Sequence, residues 1–141
     1  MVNDSMWDDT GAALTIAPAV RTAAGPVNGT AVDTGEGGDH YRNVLFVVVV
    51  GTITDATHAV TFQGSDDGTT GWVALDAAQI QGTVPVLAPA NSNRTYRVAW
   101  DGGNKRFVRA VLTIGGTPTA GGAVAVIAVM RGRGTPRGLP A

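Results

Sequence analysis

The chain has 141 residues, the length of one ordinary domain and enough to bury a core without covalent staples. It has no cysteine, which excludes disulfides and thiolate metal ligands, and its 20 glycines and 7 prolines, with abundant Val and Thr, favour short strands over helices. The net charge of −1 is unevenly spread: residues 1–93 carry ten acids against Arg21 and Arg42, while residues 94–141 carry eight bases against Asp101 alone. If that separation survives folding, the subunit is dipolar and suited to oriented docking; the alternative is that one half neutralises the other.

Residues 1–12 read as an acidic N-terminal arm in which Met6 and Trp7 form an apolar pair suited to latching onto a neighbour. It begins acidic and carries no apolar h-region, so no signal peptide is expected. Leu14 to Ala17 is a short first strand ended by Pro18, Gly25 to Gly29 is a turn, and Thr30 to Thr34 a second strand. Gly35 to Asp39 is a polar loop without the lysine and serine of a phosphate-binding loop.

The run Val44 to Ile53 is the strongest core element. Unbroken β-branched residues predict a strand covered on both faces, with Val47 and Val49 buried. His58 to Gln63 alternates apolar and polar residues, and Ser65-Asp66-Asp67-Gly68 turns it into a strand over Trp72 to Leu75. That turn chemistry accounts for the paired carboxylates better than a calcium loop, whose ligand spacing is missing. His40 and His58 read as solvated loop histidines, with no third ligand spaced for zinc.

Arg94 to Met130 holds three strands. Tyr96, Val98 and Trp100 share one face of the first; Val108, Ala110, Leu112 and Ile114 share one face of the second. Asp101 to Asn104 supplies the residues of a tight hairpin between them, and Gly115 to Gly122 turns the second into the third. Residues 131–141 form a basic tail. The expected organisation is an all-β single domain, a sandwich of jelly-roll or immunoglobulin-like type over residues 13–130, between the arm and the tail.

No residue pattern points to catalysis, a metal or a cofactor. The residues suited to contact are Met6 and Trp7 in the arm, Lys105 and Arg106 before the second strand of the block, and Arg131, Arg133 and Arg137 in the tail. The bases suit an acidic protein surface better than nucleic acid, because the whole domain is slightly acidic. Trp72, Tyr96 and Trp100 together would suit a sugar-stacking platform if exposed on one face. The longest apolar run is far too short to span a membrane as a helix.

The order of motifs is distinctive. Pro18-Ala19-Val20-Arg21 leads to Asn28-Gly29-Thr30-Ala31-Val32-Asp33, then to an apolar strand leaving through Gly51, and to Phe62-Gln63-Gly64-Ser65-Asp66-Asp67-Gly68-Thr69. Lys105 to Thr113 and Gly121 to Val129 complete it. This order resembles the small β-rich proteins encoded with the head genes of tailed bacteriophages, the capsid decoration or cement proteins, over residues 14–130. The loop Gly35 to Asp39 and the Trp7 arm depart from their pattern. The resemblance implies a structural virion protein rather than an enzyme. Such a protein is made in the host bacterial cytoplasm and bound to the outer surface of the phage head. Its partners are the major capsid protein and other copies of itself, a trimer before other states. The alternatives are a carbohydrate- or host-surface-binding module on the virion, and a head–tail connector or tail component.

Overall fold

The computed structural model describes residues 10–35, 41–101 and 105–133, and for Arg42 and Arg133 the backbone alone. Among these residues there are eleven strands: β1 (Thr10–Ile16), β2 (Val20–Arg21), β3 (Gly25–Asn28), β4 (Val32–Asp33), β5 (Tyr41–Ile53), β6 (Thr57–Ser65), β7 (Val73–Ala74), β8 (Ile80–Gln81), β9 (Thr95–Trp100), β10 (Phe107–Gly115) and β11 (Gly122–Arg133). The helical content among these residues is two single 3₁₀ turns, Ala77–Gln79 and Pro89–Asn91. The chain is all-β, as its composition implies.

The strands form two antiparallel sheets. The first runs β1-β11-β5-β9-β8, with β2 also on β11; the second runs β3-β10-β6-β7, with β4 also on β10. They pack face to face as a sandwich. Phe46 of β5 meets Phe62 of β6 across the interior with ring centroids 4.4 Å apart. Around that contact lie Val44, Val48 and Val50 of β5, Val98 and Trp100 of β9, Val108, Ala110, Leu112 and Ile114 of β10, and Val124, Val126 and Ala128 of β11, all buried. Their period-two spacing is what a half-buried strand requires.

Several expectations are corrected. The three strands of the C-terminal block are not consecutive hairpins: β9 lies in the first sheet, β10 in the second and β11 in the first again. The chain therefore crosses between sheets from β9 to β10 and from β10 to β11, as it does from β5 to β6. Gly25 to Asn28 is a strand rather than a turn, paired to β10 from Val111 to Ile114. The strand bounds also reach past the expected domain: β1 begins at Thr10 and β11 continues through Arg133. The remainder of the arm and tail lies outside the described residues.

His58 is a strand residue of β6 with no exposed surface, not a solvated loop histidine; His40 lies outside the described residues. Val49 is 38% exposed and Val47 only partly covered, while Val48 is fully buried. The apolar run is thus central in its sheet, as expected, but its second face is open.

Carboxylates fasten the crossings. Asp55 accepts the backbone N–H groups of Gly121 (2.7 Å), Ala120 (3.0 Å) and Thr119 (3.1 Å), tying the β10–β11 crossing to the β5–β6 one. The N–H groups of Ala120 and Gly121 above all hold its carboxyl below the usual carboxylate range. Asp55→Ala should free three donors at once and lower the melting temperature by several degrees with the strand spectrum unchanged. Asp55→Asn, keeping one acceptor oxygen, should fall between, and thermal unfolding followed by circular dichroism checks both.

Asp67 caps the β6–β7 turn, accepting from the Thr69 and Thr70 backbone N–H groups and the Thr70 hydroxyl. Gly68 in that turn has φ +78°, and a side chain there would meet the Phe107 ring at 2.9 Å. The turn reading of Ser-Asp-Asp-Gly therefore has a full structural basis: Asp67 is occupied as a cap and Asp66 holds Lys105 at 3.2 Å.

Candidate contact surface

Alternation along a strand sends odd and even residues to opposite faces. In β5 the even residues fill the core, so Leu45, Val47 and Val49 point outward from the first sheet. β11 is in register: Val129 lies beside Leu45, Ile127 beside Val47 and Ala125 beside Val49. On the far side of β11, Leu14 of β1 lies beside Ile127 and Ala12 beside Val129. The result is a continuous apolar face across three neighbouring strands, made by Leu14, Leu45, Val47, Val49, Ile127 and Val129. Leu14 is 47% exposed.

Its borders are polar. At one end the row Thr10, Arg131 and Asn43 closes it, and on the β9 side it meets Thr95 and Arg97. Arg97 is exposed and lies beside Val47. A shallow depression beside it is lined by Leu45, Gln81, Arg97 and Ala99. A second opens on the opposite flank between Thr10, Gly11, Ala12 and Val129. Sheet faces exposed in a soluble domain are ordinarily polar, and contiguous apolar patches mark sites of contact.

The residues singled out from sequence are only partly brought together. Arg131 lies in the polar end row of this face and is exposed. Lys105 and Arg106 immediately precede β10 of the second sheet. Lys105 lays its stem over Gly64 and reaches Asp66; Arg106 makes two 2.9 Å hydrogen bonds to Asp33, with its guanidinium 5.1 Å from the Phe107 ring. Both bases are thus neutralised by acids from the first part of the chain, and here the charge separation does not survive folding. The backbone nevertheless gathers these positions at one end of the sandwich. Thr34 N–H donates to Arg106, Tyr41 N–H donates to Thr34, and Tyr41 pairs with Arg133. Met6, Trp7 and Arg137, and the side chain of Arg133, lie outside the described residues.

The three aromatics do not share a face. Trp100 is 1% exposed in the core, and Tyr96 packs against the core with its hydroxyl accepting from Asn91. Trp72 is on the second sheet, its ring covered by the Arg109 guanidinium at 4.1 Å. Gln63 holds that guanidinium in place, its Oε1 accepting from Nε at 3.0 Å and Nη2 at 2.8 Å.

Sequence reasoning missed the apolar face and Arg97. The signal was present in the unbroken runs Val44 to Val50 and Ala123 to Met130. Such a run fits a strand covered on both sides by its own chain, and equally one whose outer side is left open.

Among the described residues no group of three or more His, Cys, Asp or Glu side chains is placed to hold a metal ion, and no helix is long and apolar enough to cross a membrane. No protein-family model, curated protein or solved structure matches this chain.

Proposed function

We propose that this chain is a structural virion protein that decorates the outside of a phage head by binding the major capsid protein. The observation that carries the reading is the open apolar face of the first sheet. A domain that already fills its interior from one side of β5 and β11 has a second apolar side that the described residues leave open. The motif order, which resembles that of phage head decoration proteins, supports the choice of partner.

The mechanism is bridging. A subunit that buries apolar surface on adjoining capsid subunits binds their assembled arrangement better than either alone, and so stabilises the lattice. Many copies on one shell multiply a modest contact energy. Turnover has no part in this.

The test is stoichiometry. Particles purified from a host carrying the gene should contain the protein in hundreds of copies, quantified by mass spectrometry against the major capsid protein. A dozen copies or fewer would place it in the neck or tail, and absence from the particle would end the reading.

A further inference from the structure

The outer face of the first sheet has a chemistry that selects among occupants. Its centre is aliphatic, formed by Leu14, Leu45, Val47, Val49, Ile127 and Val129. The charge set into its flank is Arg97, which lies beside Val47 and lines the depression with Leu45, Gln81 and Ala99. Arg97 makes no ion pair with a described residue.

The acids of the described domain are already engaged. Asp33 holds Arg106, Asp66 holds Lys105, and Asp55, Asp67 and Asp76 accept backbone N–H groups at crossings and turns. Asp101 also has a partner. A second copy laid on this face therefore brings no uncommitted described carboxylate to Arg97. Related to the first by a two-fold axis through the patch, it brings another Arg97 to the same contact. Neither copy then offers a described carboxylate to the other's Arg97, and a cation enclosed in a contact without a counter-charge is costly.

From this we infer that the outer face of the first sheet is a docking surface for a different protein, one that presents an apolar patch with a carboxylate placed to meet Arg97. The inference rests on the decoration reading, which makes that protein the major capsid protein. The apolar strands supply the contact area, and the Arg97–carboxylate pair fixes the orientation in which the two patches meet.

The experiment measures binding of the full chain to emptied capsids purified from the phage particles in which the chain is found. The variants are Val49→Asp and Arg97→Glu on the proposed face, with Thr61→Asp on the exposed outer side of the second sheet as a control. Each variant is first checked for an unchanged strand spectrum. Val49→Asp and Arg97→Glu should each weaken binding about tenfold or more, and Thr61→Asp should leave it unchanged. Arg97→Glu should also remove the weakening of binding by added salt that the natural chain shows.

If the natural chain binds and both face variants bind equally well, the docking assignment is wrong while the decoration reading stands. If the natural chain does not bind capsids at all, the decoration reading falls and the assignment with it. Sedimentation gives a separate check. An oligomer of the natural chain that Val49→Asp converts to monomer would make this face a contact between copies, which overturns the proposal. So would binding of an apolar dye that appears only when residues 1–9 are removed, since the chain's own N-terminal segment would then be the occupant.

Discussion

Val48→Asp should leave no cooperatively folded protein, whereas Val49→Asp, one residue further along the same strand, should give a domain that folds. Val48 is fully buried between the sheets, flanked in register by Val126 on β11 and Tyr96 on β9. An aspartate there places a carboxylate in an apolar interior with no cation to meet it. That costs several kcal/mol, a large part of the roughly 5–15 kcal/mol by which a domain of this kind is stable. Val49 is 38% exposed on the opposite side of the pleat, between Ala125 and Thr95. An aspartate at that position keeps its water and loses only strand preference and some packing, about 1 kcal/mol. Far-UV circular dichroism and urea midpoints of the two variants decide the matter. Equal loss of structure in both would mean that the outer side of β5 is covered by the chain itself, and the docking surface would disappear with that result.

The contrast marks where the sequence could be read and where it could not. Strand existence was legible because period-two spacing and β-branched enrichment act locally. Val108, Ala110, Leu112 and Ile114 all face the core as their spacing requires. The phase of β5 was not legible, because a run of four valines has no alternation to show which side faces inward. Sheet membership was not legible either. Glycine-rich turns say that the chain reverses, but a reversal leads equally to a hydrogen-bonded neighbour or to a strand in the facing sheet. The Ser65 to Gly71 turn does the first, pairing β6 with β7; the crossings after β5, β9 and β10 do the second.

The charges show the same limit. Asp33 and Arg106 are paired although 73 residues apart, and Asp66 reaches Lys105 across 39. A charge count by halves of the chain has no access to such pairing. What it could have flagged was Arg97, a cation in a strand of alternating apolar residues, where the position on the open face alone gives it meaning.

Acidification should destabilise the domain in two stages, the first of them due to His58. Its imidazole has no exposed surface, and neither ring nitrogen has a hydrogen-bond partner among the described residues. A side chain on Gly122 would lie 3.1 Å from its ring, so the pocket is tight. Burial lowers the His58 pKa below its ordinary value; nearby Asp55 acts the other way and Arg21 adds to the lowering. Well above pH about 6.5 the imidazole is neutral in both folded and unfolded chains and contributes no pH dependence. Below that, the unfolded chain binds the proton while the folded chain resists it. Stability therefore falls with pH, by up to about 1.4 kcal/mol per unit, until the lowered folded pKa is reached. The second stage comes from Asp55 and Asp67, whose folded pKa values are depressed by their N–H and hydroxyl donors. Their contribution is complete above the ordinary aspartate value of about 3.9 and is lost as pH drops through the folded values. Urea unfolding at a series of pH values separates the stages. His58→Met, which fills a similar volume with a flexible apolar chain and keeps the backbone bonds to Leu87, should abolish the slope that sets in as pH falls below the ordinary histidine value and leave the carboxylate stage intact. A slope unchanged in His58→Met would show that the imidazole takes up its proton as readily in the fold as in water, and that the site is wetter than its burial implies.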